Sequence, residues 1–349
     1  MAKKRRKRRK LKKAPRTILL IIILVVLFLI LKNSFNNYEE TFNSTYDYLK
    51  EKIEAIKSKQ DKKAELEKKY NDCLAQEYTE EEKAGNLEQK EIELTTYLQK
   101  YSVSVKFVDI KTNYTYVYNQ DKIYYAASTI KMLDALYIYE EAAKGNINLD
   151  ETVKYLAKFK SSYSAGMIKH KINDMVSLRD LVKYAITVSD NTAHHMLVNY
   201  IGYDNLKAFG NSLGATSTLN HSVLGKDNFG DMNVNDAIIY VKELYNFINN
   251  NSTLGKELKS YFTSSQDNYL KDEDRKIEAA TKYGQYNSYF HNNGIVYYTN
   301  PYYASILTEL GNSNYKEIIS NINKKYQELE DTLYSNRINY CQEQIYGSE

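Results

Sequence analysis

Ser128 and Lys131 are the first residues whose types and spacing could do chemistry. They form a Ser-x-x-Lys motif that opens an apolar segment running toward Gly145. At a helix start, residues i and i+3 lie on one face, so the lysine amine can reach the serine hydroxyl. A neighbouring amine that takes its proton makes a serine hydroxyl nucleophilic enough for acyl transfer. The alternative is a serine that only caps the helix, with a surface lysine one turn later.

Two further polar motifs follow along the chain. Ser189-Asp-Asn191 comes after a helical segment, and Lys282-Tyr-Gly284 enters a β-rich region. Helix capping alone would account for the first of these, since Ser, Asp and Asn all favour cap positions. A single lysine near a glycine in a strand would have no special meaning. The informative feature is the order of the motifs and their separation, because 58 residues separate the first from the second and 91 the second from the third.

The segments around these motifs must position them. The chain of 349 residues has 43% hydrophobic and 26% charged residues, which are values of an ordered globular protein. Residues 103–118 alternate like strands around a turn at 111–113, which predicts a β-hairpin. Helical periodicity dominates residues 128–250, strand-like residues return over 279–308, and an amphipathic helix follows over 314–333. Strands at both ends with helices between them predict an α+β fold, one antiparallel sheet with an inserted helical subdomain.

The ordered motifs resemble those of the penicillin-recognising serine hydrolases, and of class A β-lactamases in particular. The similarity spans roughly residues 95–335 and includes three more segments, Asp121–Lys131, Gly145–Val153 and Asn292–Val296. The resemblance implies a β-lactamase/transpeptidase-like fold. It also implies an enzyme that forms an acyl-serine with a β-lactam or with a D-alanyl cell-wall peptide.

The same resemblance implies a role for each motif residue. Ser128 would be the acylated nucleophile, and Lys131 would be the amine that activates it. Ser189 would relay a proton to the leaving nitrogen, and Asn191 would hold the substrate amide and the lysine in place. Lys282 would supply positive charge to the substrate carboxylate and would tune Ser189.

The third motif implies further contacts with the substrate. Backbone N–H groups of Ser128 and Gln285 would form the oxyanion hole, and Gly284 would allow the close backbone approach that this needs. Tyr283 stands where the family has Thr or Ser. Asn191, Tyr283 and Gly284 are therefore the predicted substrate-binding residues. We expect Tyr283 either to remove a hydrogen bond to the substrate carboxylate or to narrow the pocket.

The loop after the second motif departs further from the family pattern. It should carry a glutamate, in a Glu-x-x-Leu-Asn setting, that activates the water for hydrolysis of the acyl-serine. Residues 205–235 contain no glutamate, and the acids available are Asp227 and Asp231. An aspartate side chain is one methylene shorter, and a displacement of about 1 Å can cost a hundredfold in rate. We therefore expect acylation to survive and deacylation to be slow.

Other patterns do not carry comparable chemistry. Gly210-Asn-Ser212-Leu-Gly214 matches the nucleophile-elbow pattern, but a helical segment precedes it where that motif needs a strand. His194 and His195 are adjacent, so they point to different faces and cannot form an i, i+4 metal pair. The chain has two cysteines, which excludes a four-cysteine zinc site. No metal and no cofactor is predicted.

The amino-terminal residues predict a membrane anchor. Residues 1–16 hold 11 Lys/Arg and no acid, and residues 18–31 are an unbroken apolar run. A basic block alone would indicate a nucleic-acid-binding tail, but before an apolar run it predicts a cytoplasmic tail and a signal-anchor over residues 17–33, and no nucleic-acid partner. A cleaved signal peptide is the alternative, and Lys32–Phe35 is a poor cleavage site. The rest of the chain would lie outside the cell membrane, in a single-pass topology.

The remaining residues divide into three parts. Residues 34–95 are rich in Glu, Lys and Gln and predict a helical spacer, whose interrupted apolar stripe supports weak self-association at most. Residues 96–335 form the catalytic domain, and residues 336–349 form a carboxyl-terminal tail. Cys73 and Cys341 lie outside that domain, and whether they pair stays open at this point. A peptidoglycan D,D-peptidase or esterase and a catalytically weak cell-wall scaffold protein are the rival functions.

Overall fold

The computed structural model describes residues 13–32, 39–77, 86–216, 229–251, 253–311 and 314–347. Its residues group into two compact units, and the boundary lies between Tyr70 and Asn71. Among the described residues, the first unit contains helices alone, whereas the second contains the sheet strands, further helices and all three motifs.

The described part of the first unit consists of α1 (Lys13–Lys32) and most of α2 (Glu39–Leu74). α1 contains the apolar run, and its side chains from Ile18 to Leu31 are largely exposed. α2 has no glycine or proline and is rich in Glu and Lys, which favours a helix. Across the ranges that the structure describes, no helix is both long and apolar enough to cross a membrane. The signal-anchor therefore stays a prediction.

A five-stranded antiparallel sheet forms the centre of the second unit. The strands of this unit are β1 (Val103–Asp109), β2 (Thr115–Tyr118), β3 (Tyr124–Tyr125), β4 (Thr152–Lys154), β5 (Met175–Ser177), β6 (Asp231–Met232), β7 (Glu278–Tyr286), β8 (Tyr289–Tyr297) and β9 (Tyr302–Glu309). The order in the sheet is β2-β1-β9-β8-β7, while β3 pairs with β6 and β4 with β5. The predicted α+β architecture with an antiparallel sheet is confirmed.

The helices of the second unit lie either between β3 and β7 in sequence or near the ends of the domain. They are α3 (Asn86–Leu98), α4 (Lys131–Ala143), α5 (Leu178–Thr187), α6 (Asn191–Ile201), α7 (Tyr203–Ser212), α8 (Val234–Asn250), α9 (Leu254–Thr263) and α10 (Tyr315–Tyr346). α5 buries Leu178, Val182 and Ala185 at helical spacing. The Ser177 side chain caps its start by accepting from the Asp180 N–H at 3.1 Å. α4 to α9 form the helical subdomain inserted between strands.

One face of the sheet packs against this helical subdomain. Ala280 and Ile295 from the sheet belong to the same hydrophobic core as Leu133 of α4 and Leu197 of α6. β7 also contacts the turn that precedes α4. The packing therefore brings together the parts of the chain that carry the first and third motifs.

The opposite face of the sheet is covered by α3 and α10. Phe107 of β1 stacks on Tyr326 of α10 with ring centroids 4.1 Å apart, and Leu87 and Leu94 of α3 are fully buried. Residues 86–95, which the sequence pattern assigned to the spacer, thus pack with the domain that carries the motifs. The physical reason is that their apolar side chains cover the sheet and would otherwise be exposed to water.

α10 continues through most of the residues expected to form a carboxyl-terminal tail. Cys341 is fully buried and forms a disulfide with Cys73, with the Cα atoms 5.9 Å apart. The buried guanidinium of Arg337 donates to the backbone carbonyls of Cys73 at 2.8 Å and of Glu77 at 2.6 Å. The pairing that the sequence left open is therefore formed, and it ties α10 to the end of α2.

Candidate active site

Ser128 lies in a short 3₁₀ turn, Ala127–Ile130, that leads directly into α4. Ala127 is in the left-handed region with φ 48°, a conformation that costs energy for a residue with a Cβ atom and that recurs at functional sites. The Thr129 hydroxyl donates to the Ala126 carbonyl at 2.5 Å and holds the turn. Ser128 is half-buried while both neighbours are buried, so the turn leaves the serine accessible.

Lys131 is the first residue of α4, and its amine is the centre of the site. Its Nζ lies 2.9 Å from Ser128 Oγ, 2.6 Å from Asn191 Oδ1, 2.7 Å from the Ser189 carbonyl oxygen and 3.3 Å from Ser189 Oγ. The lysine thus reaches the serine one turn away, as the spacing predicts. It also joins the first motif to the second, which lies 58 residues further along the chain.

The surroundings of Lys131 favour a neutral amine. The side chain is fully buried, and this burial lowers its pKa to about 7, although the negative charges of Asp134 and Asp190 act in the opposite direction. Near neutral pH a large fraction of the amine is therefore unprotonated. A neutral amine can accept a hydrogen bond from Ser128 Oγ and take its proton, which an ammonium group cannot.

The second motif lies in the turn between α5 and α6. Asp190 caps α6, because its carboxylate accepts from the Ala193 N–H and the Met167 N–H, both at 2.8 Å. Helix capping therefore accounts for the aspartate and leaves Ser189 and Asn191 to contact the lysine amine. Ser189 is buried, and its backbone is left-handed with φ 56°, a conformation that the surrounding contacts must hold.

Lys282 approaches the same serine from the sheet. Its side chain is fully buried, and its Nζ donates to Ser189 Oγ at 3.0 Å and to the Tyr283 carbonyl at 2.9 Å. Burial lowers the Lys282 pKa well below its ordinary value, and the positive charge of Lys131 lowers it further, whereas Asp267 acts in the opposite direction. The Ser189 hydroxyl is thus placed between two amines.

Gly284 lets β7 run against the turn that carries Ser128. A Cβ atom at this position would lie 3.0 Å from the Ala126 carbonyl oxygen and from the Thr129 backbone nitrogen, closer than nine in ten such contacts. Gln285 follows it at an exposed position of the strand. The backbone of the third motif is therefore next to Ser128, as an oxyanion hole requires, and the use of the Ser128 and Gln285 N–H groups stays a prediction.

A model of the beta-lactamase enzyme family matches residues 89–329, which is more than half of the chain and includes all three motifs. The chain belongs to this family. As a member, it is a β-lactamase-like serine hydrolase. No curated protein sequence matches the chain.

Solved structures share the fold of this family member. A variant of PBP-A, in an acyl-enzyme complex with penicillin G, is 18% identical with a TM-score of 0.63, over 70% of this chain and 97% of that one. TLA-1 extended-spectrum β-lactamase is 16% identical with a TM-score of 0.62, over 70% and 99%. The β-lactamase from Sphaerobacter thermophilus is 19% identical with a TM-score of 0.59, over 70% and 96%. The predicted β-lactamase/transpeptidase-like fold is thereby confirmed.

Tyr283 departs from the family pattern in type, and the structure gives it a buried position. Its hydroxyl accepts from Gln266 Nε2 at 2.5 Å, and its ring centroid lies 3.9 Å from Lys282 Nζ. Burial raises the pKa of the phenol, so the hydroxyl stays neutral. The ring therefore packs against the Lys282 side chain, and the contact becomes a cation–π interaction when that amine is charged. The contact between Tyr283 and the substrate stays a prediction.

The sequence did not single out a buried pair next to the site. Asp134 and His194 are both buried, and Asp134 Oδ2 lies 2.5 Å from His194 Nδ1. Each follows a motif residue by three positions, Lys131 on α4 and Asn191 on α6, so helical spacing was the signal that could have found them. Within the described ranges, no group of three or more His, Cys, Asp or Glu side chains could hold a metal ion.

Phe229 closes one side of the same region. Its ring stacks on His194 with centroids 4.7 Å apart, and its centroid lies 5.3 Å from Lys131 Nζ. An apolar ring at this distance keeps water from one side of the amine, which agrees with the burial that lowers the lysine pKa. No pattern in the sequence indicated this role, because it depends on the packing of Phe229 against His194 and Lys131.

The structure also places the remaining candidate residues. Asp227 lies outside the described residues, and Asp231 lies in β6 opposite Tyr125 of β3. Ser212, from the elbow-like pattern, is the last residue of α7, and its hydroxyl donates to the Phe209 carbonyl at 2.7 Å. A helix therefore precedes that serine, in agreement with the sequence interpretation, and the serine lacks the strand-to-helix turn of a nucleophile elbow.

Proposed function

We propose that this protein is an extracytoplasmic serine hydrolase that forms an acyl-serine with β-lactams or D-alanyl cell-wall peptides and hydrolyses it slowly. The observation that carries the proposal is the position of Lys131 Nζ, which lies within hydrogen-bonding distance of Ser128 Oγ, Ser189 Oγ and Asn191 Oδ1. A surface lysine after a capping serine would make neither of the last two contacts. A scaffold protein would not need this convergence of buried polar groups, which costs stability.

Acylation uses the hydroxyls of Ser128 and Ser189 and the amine of Lys131. The neutral amine of Lys131 takes the proton from Ser128 Oγ, and that oxygen attacks the carbonyl carbon of the substrate. Backbone N–H groups of Ser128 and Gln285 stabilise the negative charge on the carbonyl oxygen. When the C–N bond breaks, Ser189 gives its hydroxyl proton to the leaving nitrogen and recovers one from the Lys131 ammonium.

Lys282 and Asn191 orient the substrate. A substrate carboxylate next to Lys282 raises the pKa of that lysine again and restores its charge, because an opposite charge favours the ionised form. Asn191 uses Oδ1 for Lys131 at 2.6 Å, so its Nδ2 group is the part that donates to a substrate carbonyl. Gly284 brings the strand backbone close to the same substrate, and the Tyr283 ring narrows the pocket beside it.

Two features favour slow deacylation, a missing glutamate in the loop after the second motif and an apolar ring beside Lys131. Hydrolysis of the acyl-serine needs a positioned water molecule and a base, and residues 205–235 contain no glutamate. The Phe229 ring, 5.3 Å from Lys131 Nζ, places an apolar group next to the amine. These two observations favour a penicillin-binding enzyme that stays acylated over an efficient β-lactamase.

Intact mass spectrometry of the full chain with a penicillin, followed over time, tests the proposal. We expect an adduct of one penicillin that persists for minutes or longer and that is absent from Ser128→Ala. Ser212→Ala is the matched control and should keep the adduct. Asp227→Asn and Asp231→Asn should change the adduct lifetime little. An adduct on Ser128→Ala would contradict the nucleophile, and rapid steady-state hydrolysis or a much longer lifetime in either aspartate variant would contradict the account of deacylation.

We also propose that residues 17–33 anchor the chain in a cell membrane, with residues 1–16 in the cytoplasm. The basic block before the apolar run and the exposed apolar side chains of α1 support this topology. The Cys73–Cys341 disulfide supports an oxidising, extracytoplasmic compartment for the residues beyond the anchor. Protease added to intact protoplasts should remove those residues. Protection from protease, or a mature chain that begins near residue 34, would contradict the topology.

A further inference from the structure

Residues 152–173, which comprise β4 and most of the loop to β5, are basic and contain no acidic residue, although Asp150 and Glu151 precede them and Asp174 follows them. Residues 152–173 include five lysines and one histidine, namely Lys154, Lys158, Lys160, Lys169, Lys171 and His170. Of the 48 basic residues, 37 lie outside residues 1–16, where they face 44 acidic ones. This run therefore has the opposite charge to the rest of that part of the chain. All five lysines are exposed.

None of these lysines forms an ion pair with a carboxylate in the part of the chain that the structure describes. Lys158 Nζ donates to Asn199 Oδ1 at 3.2 Å. Asp174, just beyond the run, lies 3.9 Å from His170 and accepts from the backbone N–H of Lys171 at 2.8 Å. Lys169 lies over the Tyr184 ring, 5.0 Å from its centroid, and the negative charge of Asp180 also acts on it. Lys160 and Lys171 have no such partner among the described residues, and their charges attract anionic groups from solution.

The same segment lines a cavity of about 650 Å³. This volume falls within the range of small-ligand sites, about 300–1,000 Å³. The lining combines the amines of Lys160 and Lys171, the hydroxyls of Ser161 and Ser162, and several apolar or aromatic side chains, among them Ile168, which is 84% exposed. No described acidic side chain lines it. Amines and hydroxyls are the donors that a carboxylate accepts from.

Backbone hydrogen bonds tie this cavity to the second motif. The Asn191 N–H donates to the Tyr163 carbonyl at 2.9 Å, and the Met167 N–H donates to the Asp190 carboxylate at 2.8 Å. Tyr163 and Met167 both line the cavity. A group held in the cavity therefore has a defined position relative to Asn191, whose side chain contacts Lys131 at 2.6 Å.

We propose that this cavity binds carboxylate groups of a peptide substrate, in the part of the peptide on the amino-terminal side of the acylated carbonyl. The inference rests on the proposed function, since it assigns a subsite to the same reaction. Lys160 and Lys171 neutralise the carboxylates, and the hydroxyls of Ser161 and Ser162 donate to their oxygens. Ile168 contacts the apolar part of the peptide. The concave shape favours an inserted peptide over the flat surface of a lipid bilayer.

Two matched substrates test this inference on the full chain. Both are peptides that end in a D-alanyl thioester, one with a Glu-Glu and one with a Gln-Gln amino-terminal extension, so they differ in charge and hardly in size. At low ionic strength we expect kcat/KM to be about three- to tenfold higher for the Glu-Glu peptide, the contribution of two exposed charge pairs. The preference should disappear at about 0.5 M salt, because the Debye length is then only about 4 Å.

Lysine variants test whether the preference for the Glu-Glu peptide depends on Lys160 and Lys171. Lys160→Gln combined with Lys171→Gln should reduce the ratio of the two kcat/KM values to about one. The ratio does not depend on the fraction of folded enzyme, since both peptides are measured on one preparation. Lys111→Gln combined with Lys256→Gln changes two exposed lysines on other elements and should keep the wild-type ratio. A ratio of one in the wild type, or a ratio retained in the first variant, overturns the inference.

The inference and the proposed function fail in different ways. If neither a thioester nor a penicillin acylates Ser128 in the wild type, the proposed function is contradicted. If both peptides acylate Ser128 at equal rates, only the subsite is contradicted. If Lys160 and Lys171 control binding to vesicles of anionic phospholipid and the peptide preference is absent, the basic segment is a membrane contact and the subsite is again contradicted.

Discussion

The rate of acylation should depend on pH through Lys131. Burial sets the pKa of this amine at about 7, so the amine is mostly protonated at pH 5 and mostly neutral at pH 8. Only the neutral form can accept the proton of Ser128 Oγ, which lies 2.9 Å away. The neutral fraction falls about tenfold for each pH unit below the pKa, so acylation should be about a hundredfold slower at pH 5 than at pH 8.

Single-turnover acylation by a penicillin, quenched at successive times and read by intact mass spectrometry, measures this dependence. Lys131→Arg is the control, because an arginine stays protonated at all of these pH values and its slow acylation should show no such dependence. An esterified β-lactam separates Lys131 from Lys282, since the decrease at low pH should be present with and without the substrate carboxylate. A rate that is constant between pH 5 and pH 8 would refute the role of Lys131 as the base, and a midpoint near pH 10 would refute its lowered pKa.

The midpoint of this pH dependence provides a second test. The negative charge of Asp134 raises the Lys131 pKa, so Asp134→Asn should move the midpoint to lower pH. The substitution also removes a buried partner of His194 and costs stability. Partial loss of folded enzyme lowers the amplitude of labelling but leaves the midpoint unchanged, so the midpoint isolates the electrostatic effect. A midpoint that stays in place or rises would contradict it.

Three further predictions concern charge and stability. Lys282→Ala should slow acylation by carboxylated β-lactams about ten- to a hundredfold, the equivalent of about 1.5–3 kcal/mol for a charge-assisted contact. Equal losses with an esterified β-lactam would instead assign the lysine to the proton relay or to folding. Replacement of both Cys73 and Cys341 by Ser should lower the free energy of unfolding by about 2–5 kcal/mol in denaturant titrations, and an unchanged midpoint would contradict a stabilising disulfide. Burial, with the charge of Asp109, raises the pKa of Glu330 from 4.5 to about 8. Between these two pH values the folded protein keeps a proton that the unfolded chain releases. Wild-type stability therefore falls as the pH rises from 4.5 through about 8. The stability of Glu330→Gln relative to wild type should therefore rise by at least ~1.4 kcal/mol, the equivalent of one pKa unit, between pH 4 and pH 9; a pH-independent difference would contradict the raised pKa.

The sequence by itself determined the local parts of this protein. Ser128 and Lys131 meet because residues i and i+3 share one face at a helix start. The helix that precedes the second motif follows from its apolar spacing, and the hairpin of residues 103–118 follows from strand alternation. Each of these features depends on residues close in sequence, so local geometry is enough to predict it. The order of the three motifs added the fold, because it matches a known family.

The tertiary structure alone decided which polar residues act together. The second motif could have been only a helix cap, and the packing shows that Asp190 caps α6 while Ser189 lies between two lysines. The Asp134–His194 pair joins residues 60 positions apart. Helical spacing can place each residue on the same face as a motif residue, but their contact depends on how whole helices pack against one another.

The protonation state of the site and the limits of the domain were also decided by packing. The lowered pKa of Lys131 is an effect of burial, and burial is a property of the surrounding elements rather than of the motif. The Cys73–Cys341 disulfide closes a separation of 268 residues, and α3 joins the domain because its apolar side chains cover the sheet. Sequence patterns report local geometry and the preference of a side chain for burial, whereas the choice of what buries it is made by the complete fold.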